Sequence, residues 1–461
     1  MNMLKGTVVL FAVLAGMTSC RAGTQQTGEQ QSVQGAAGAY SEADMSPQLL
    51  SFRDKWLAIE TPQSLHALLN ELEAALPAAP ADLKYFGLQI VGLKDLRGFR
   101  WRLNTLADDD RTLNSLYLTA GLSAHTAIEV YAPYKNWKAM ATYLSEPLDM
   151  PGEQKFSEMF PQFQTVDQLQ TEIVTRILPK FVAHTEKIAE ISIPANKALV
   201  WDNTAAAGKG TFADALDRYQ VIGEAEKGAK LAGRHLAAHN ALVFAARNLN
   251  DFAKVSKALG GLYGFDGCLI GEINGATSQE RTRVIRGFSQ YLTLRNPGFL
   301  VPAFDHLKRA VGYARKSWSV IKASPDNEYA SLNPAQIKPF SRMTENELAS
   351  AERMITGSTA LRSRVTGEVV NVNLPAMYAN PPADMKVFLP TSFEPTTPWI
   401  TNASGYKVRN ASSGAANGWN VGAFQPYFPS ITSNAEVQKT ARILAQSWGG
   451  GIFAMALGNA F

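Results

Sequence analysis

Thr61-Pro62-Gln63-Ser64-Leu65-His66-Ala67-Leu68-Leu69-Asn70-Glu71-Leu72-Glu73-Ala74-Ala75-Leu76-Pro77 is the stretch that decides the architecture of this chain. A hydroxyl residue precedes a proline suited to the first helical position. Leu65, Leu68, Leu69, Leu72 and Leu76 then recur at the i, i+3, i+4, i+7 spacing that gathers one apolar face on a helix, and Pro77 stops it.

The same signals return across residues 46–364. Ser46-Pro47 opens one helix. Thr165-Val166-Asp167-Gln168 has capping-box spacing ahead of Leu169, Ile173, Ile177 and Phe181, with a kink expected at Pro179. Thr277-Ser278-Gln279-Glu280 and Thr344-Glu345-Asn346-Glu347 repeat the start signal, and Phe304, Leu307, Val311, Trp318 and Ile321 make another apolar face. Breaks such as Pro77-Ala78-Ala79-Pro80 and Arg295-Asn296-Pro297-Gly298 are short, which predicts antiparallel neighbours. The expected fold is mainly α, a helical bundle or stacked helix pairs. Tetratricopeptide stacks share that plan, but no period of about 34 residues recurs here.

Residues 365–461 change character and are expected to be irregular, rich in proline and glycine, with one terminal helix over residues 433–448. Val365 to Leu374 partly alternates and predicts an edge strand or hairpin arm. Prolines at 375, 381, 382, 390, 395 and 398 are expected to exclude regular helix, and Asn417-Gly418 signals a turn. The aromatics Tyr378, Phe388, Phe393, Trp399, Tyr406, Trp419, Phe424, Tyr427 and Phe428 argue against disorder. Two readings fit equally: an arm wrapped over the helices, or a loop-built recognition surface.

The chain has 461 residues, 46% hydrophobic and 18% charged, enough apolar material for a large core. Its net charge of +4 is spread over 44 basic and 40 acidic residues, so no concentrated basic stripe marks a nucleic-acid partner. With Cys20 and Cys268 the only cysteines, no disulfide framework is expected, and Cys268 reads as a small buried hydrophobe among Gly264-Phe265-Asp266-Gly267 and Leu269-Ile270.

At the N-terminus Lys5 precedes the apolar run from Thr7 to Met17, which has the length of a signal-peptide core and is too short to span a bilayer. It ends in Met17-Thr18-Ser19-Cys20, which resembles the lipobox of bacterial lipoproteins, Met17 standing where leucine is more frequent. The resemblance covers about the first twenty residues. It implies removal of residues 1–19, a diacylglycerol on Cys20 and further acylation of the new amine, with chains such as palmitate. Arg21 follows the cysteine, where aspartate would favour inner-membrane retention, so the resemblance favours the outer membrane. Residues 20–45, with Gly23-Thr24-Gln25-Gln26-Thr27-Gly28-Glu29-Gln30-Gln31, read as a flexible tether reaching about 25–30 Å.

Motifs for chemistry are sparse. His235 and His239 lie one helical turn apart, but Leu236 occupies the place of the zinc-protease glutamate. Asn203-Thr204-Ala205-Ala206-Ala207-Gly208-Lys209-Gly210-Thr211 lacks the first glycine and the hydroxyl of a phosphate loop. Gly267, Gly271 and Gly275 form a small-residue ladder interrupted by Glu272, and Asp108-Asp109-Asp110 suits a helix start. The densest basic-aromatic cluster is Arg97-Gly98-Phe99-Arg100-Trp101-Arg102. Arg97, Arg100, Trp101 and Arg102 are the candidate surface contacts, for anionic headgroups or a phosphate-bearing glycan. The alternative is a solvated helix face with Phe99 and Trp101 packed inward. No catalytic residue, metal site or cofactor is expected. The sequence reading is a membrane-anchored envelope lipoprotein that binds or scaffolds, with a protein or a small hydrophobic molecule as partner. Its alternatives are a hydrolase-like envelope enzyme assembled from distant residues and a structural subunit of a secretion or surface complex.

Overall fold

The computed structural model describes residues 40–106, 137–194, 197–202, 219–263, 278–323, 345–363, 365–397, 399–410 and 412–446. Cys20 and the leader, the tether up to residue 39, Asp108-Asp109-Asp110, residues 203–211, Cys268 and the ladder from Gly267 to Gly275 lie outside the described residues. The fold is mainly α, a helical bundle with small antiparallel sheets.

Helices α1 (Pro47–Leu57), α2 (Pro62–Ala75) and α3 (Ala81–Ile90) form the first layer. Ser46 caps α1 by accepting the Leu49 N–H, and Asp82 in turn accepts the Ser46 N–H and hydroxyl, tying α3 to the start of α1. Thr61 and Ser64 satisfy one another at the head of α2, where Leu65, Leu68, Leu69 and Leu72 are buried. Each such burial contributes about 1.5–3 kcal/mol. There follow α4 (Phe99–Leu103), α5 (Trp137–Ser145), α6 (Phe156–Met159) and α7 (Val166–Glu172). Thr165 accepts the Gln168 N–H as expected, but the Gln168 side chain takes the N–H of Gln164 instead of that of Thr165. A π-turn over Ile173–Ile177 leads into α8 (Leu178–Ala189), whose first turn holds Pro179. The widened turn accommodates the proline's missing N–H.

Strands β1 (Leu199–Asp202) and β2 (Tyr219–Ile222) pair antiparallel and deliver the chain to α9 (Glu224–Ala246). Next come α10 (Phe252–Tyr263), α11 (Ser278–Gly287), α12 (Leu300–Ala323) and α13 (Glu345–Thr356). Helix α9 is buried over most of its surface and makes its largest contact with α12. Its small residues allow this. A Cβ on Gly228 would stand 3.1 Å from the Ser317 Cβ, and the Ser317 hydroxyl donates to the Ala225 carbonyl at 2.7 Å. On α12, Phe304, Leu307, Val311 and Ile321 are buried and Trp318 is half-buried.

The C-terminal region joins the same core. β3 (Ser358–Arg362) pairs with β4 (Val369–Asn373), burying Thr359, Leu361, Val370 and Val372. The sequence alone predicts only the second of these strands. α14 (Leu374–Ala379) corrects the expectation that the prolines exclude helix: Pro375 sits in its first turn, where an N–H is not needed. A long two-tier hairpin follows, β5 (Ser392–Phe393) with β8 (Ala416–Gly418) at its root and β6 (Trp399–Thr401) with β7 (Lys407–Arg409) at its tip. α15 (Val421–Phe424) and α16 (Asn434–Gln446) close the described chain. Tyr378, Phe388, Phe424, Tyr427 and Phe428 are buried in one cluster with residues of α1 to α5, α7 to α9 and α12. Much of this region is therefore a packed arm. No helix among the described residues is long and apolar enough to cross a membrane.

Candidate functional site

The segment singled out by its arginines folds inward. Gly98 adopts φ +59°, and a Cβ there would meet Phe156 at 2.4 Å, so the turn into α4 requires glycine. Phe99 and Leu103 are buried, and so are Arg97 (6% exposed) and Arg102 (5%). Arg97 lies over the Phe156 ring at 5.2 Å and pairs with Glu153 at 2.7 Å. Arg102 lies over Phe163 at 4.1 Å, pairs with Glu172 at 2.6 Å and donates to the Pro161 carbonyl at 3.1 Å. Arg176 shares Glu172 at 2.5 Å, and three guanidinium groups surround the Phe160 ring at 5.9, 5.6 and 5.2 Å. Burial raises the Glu172 carboxyl, but Arg102 and Arg176 outweigh it and hold the group below its usual range. Arg100 is exposed and Trp101 half-buried against Phe156. The four candidate residues thus form no common exposed face, because two of them exchange water for a carboxylate and an aromatic ring.

Glu153 continues into a relay that the sequence reading missed. Its other oxygen lies 2.9 Å from His66 Nε2, and His66 Nδ1 lies 3.0 Å from the Tyr143 hydroxyl. In such an order the imidazole can take the hydroxyl proton while the carboxylate orients the ring. Tyr143 is fully buried, however, and burial raises its pKa above the usual phenol range. The relay fastens α2 to α5 and to the segment carrying Glu153. Its sequence signal was His66, placed three residues before Leu69 on the leucine face.

The two histidines of α9 diverge. His235 Nδ1 meets His306 Nδ1 at 3.0 Å, with Tyr313 stacked on the His235 ring at 5.4 Å. His239 Nε2 meets the Tyr378 hydroxyl at 2.7 Å and its Nδ1 meets Asn240 at 3.0 Å. Burial, then the neighbouring His306, Arg309 and Arg234, lowers His235 to about 3. Burial lowers His239 to about 4 despite the Asn240 contact. Both rings are neutral near pH 7. No group of three or more histidine, cysteine, aspartate or glutamate side chains converges among the described residues.

Two features face solvent. A groove of about 420 Å³ opens between α1 and α2, lined by Pro47, Ser51, Phe52, Leu68 and Leu72, with Lys55 and Glu71 paired across it. The second is the hairpin tip. Every residue from Trp399 to Lys407 is exposed, and Trp399 (62%), Ile400 (45%) and Tyr406 (71%) are among the most exposed large hydrophobics. Its root is fixed: Thr391 N–H donates to Gly418, Glu394 N–H to Ala415, Gln279 N–H to Gly414, and Thr396 Oγ1 to Gln279 Oε1. A rigid base thus presents apolar side chains to water. Comparison with protein-family models, with curated proteins and with solved structures found no match.

Proposed function

We propose that the protein is a lipid-anchored envelope protein, outer membrane favoured, that acts by binding or scaffolding and makes contact through the β6–β7 tip. The observation that carries the reading is the exposure of Trp399, Ile400 and Tyr406 on a buttressed hairpin. Water-exposed rings of this size lose favourable burial unless something covers them, and aromatic residues give large contact area with few rotatable bonds. His235, His239, Arg97 and Arg102, candidates for chemistry or contact in the sequence, are held in internal contacts.

Two measurements test it. A photo-crosslinking residue at Tyr406 in the full chain captures adducts in intact cells, while the same residue at Val365, 76% exposed on the β3–β4 turn, does not. Equal labelling at both positions, or none at either, rejects the tip as the contact. For the anchor, Cys20→Ala leaves the protein removable from membranes by a high-salt wash. If that variant stays with the membrane as fully as the native chain, lipidation of Cys20 is wrong.

A further inference from the structure

We infer that the β6–β7 tip seats in the headgroup layer of an anionic lipid bilayer, a second membrane contact besides the lipid on Cys20. This inference rests on the contact role proposed above and names its partner.

Charge points to an anionic surface. From Pro395 to Ala435 the chain contains no aspartate or glutamate, and its only charged residues are Lys407 and Arg409, in a protein that is otherwise nearly balanced. Register then sorts the tip into two faces. Trp399 stands opposite Arg409 and Thr401 opposite Lys407, while Ile400 stands opposite Val408, the parity that Tyr406 shares. One face therefore combines Trp399 with Lys407, and the other carries isoleucine, valine and tyrosine. Tryptophan and tyrosine favour the membrane–water interface, and basic residues favour anionic headgroups.

The turn's backbone donors are largely satisfied from within. Asn402 N–H donates to the Tyr406 carbonyl and Gly405 N–H to the Asn402 carbonyl, both at 2.9 Å. The Asn402 side chain accepts the N–H of Ser404 at 3.0 Å and of Tyr406 at 2.9 Å. Gly405, at φ +83°, closes this turn. The N–H groups of Asn402, Ser404, Gly405 and Tyr406 are thus satisfied within the turn, so seating it among headgroups strips no water from them.

Area argues against a protein groove as sole partner. Trp399 and Tyr406 offer at most about 250 Å² each and Ile400 less. That falls short of roughly 800 Å² per partner in a stable protein interface. A weak contact suffices for a chain already tethered, because the tether supplies a high local concentration.

The test uses the chain from Arg21 onward, without lipid, floated with phosphatidylcholine vesicles or with an equimolar mixture of phosphatidylcholine and phosphatidylglycerol. Binding is expected only to the mixed vesicles and is lost in high salt. Lys407→Ser weakens it about fivefold, and Trp399→Ser with Tyr406→Ser about tenfold or more. Because these side chains are exposed, the variants keep the native melting temperature. Equal binding to both vesicle types, or equal binding by native chain and variants, overturns the inference. If the chain ignores both vesicles while a Tyr406 crosslinker captures protein in cells, the tip is a contact but its partner is not lipid. If neither occurs, both readings fall.

Discussion

Replacing Glu172 with leucine is expected to lower the unfolding free energy by about 3–5 kcal/mol, the largest single loss from a side-chain change among the ion pairs described above. Arg102 would be left buried with the Pro161 carbonyl and the Phe160 and Phe163 rings but no carboxylate, while Arg176 would keep its contact with Asp95. A guanidinium stripped of its carboxylate in a low-dielectric site carries a desolvation cost that the carbonyl and the rings offset only in part. The paired replacement Arg102→Met with Glu172→Leu removes both charges and recovers much of that loss, since apolar side chains of similar volume often replace a buried pair at little cost. Chemical denaturation of the native chain, both single variants and the double variant closes the cycle. As a reference, Lys308→Ala removes the exposed pair with Asp305 and costs less than about 1 kcal/mol. A Glu172→Leu cost as small as that one would mean the arginine cluster is solvated after all.

That cluster also marks where sequence reasoning runs out. Arg97 and Arg102 look like surface residues because composition carries no information about Phe156, Phe160, Phe163 and Glu172, which arrive from later in the chain. Local signals fared better. The caps at Ser46, Thr61 and Thr165 and the leucine face of α2 stand in the structure as expected, because each is decided within one or two helical turns. Helix α9 was hard to foresee as the central helix. Being buried on nearly all sides, it shows no stripe, and its alanines and glycines carry little apolar weight. Strand β3 was missed because only Thr359 and Leu361 mark its inner face, too short an alternation to read. The C-terminal aromatics posed the same problem. Tyr378 finds His239 and Phe304, while Trp399 remains in solvent, and nothing within a few residues of either distinguishes them. The two sequence readings of that region, packed arm and exposed surface, each describe part of it.

Burial also dictates the protein's response to acid. His66, His184, His235, His239 and His306 are all held below their ordinary pKa, with burial the leading cause in each. A base whose folded pKa is depressed binds fewer protons in the native state than in the unfolded one. Its stabilising contribution is therefore present above pH about 6.5 and is lost as pH falls toward the folded value. For His239 that window runs from 6.5 to about 4, and for His235 from 6.5 to about 3. Glu226 works in the opposite sense. Burial raises it to about 7, although its carboxylate accepts the Gly223 N–H at 2.9 Å. Its contribution is present below pH 4.5 and lost as pH rises toward 7. Between pH 4.5 and 6.5 the histidines outnumber it, so native stability falls on acidification. Each buried histidine contributes at most about 1.4 kcal/mol per pH unit to that slope. His239→Gln removes one titrating group and flattens the slope by up to one proton. Glu226→Gln keeps an acceptor for the Gly223 N–H, steepens the slope by up to one proton and stabilises the protein near pH 7. Unfolding free energies measured from pH 4.5 to 7.5 for the three proteins separate these effects. Parallel curves for the native chain and His239→Gln would mean that His239 titrates with the same pKa in the folded and unfolded states, so that burial against Tyr378 does not hold its ring neutral.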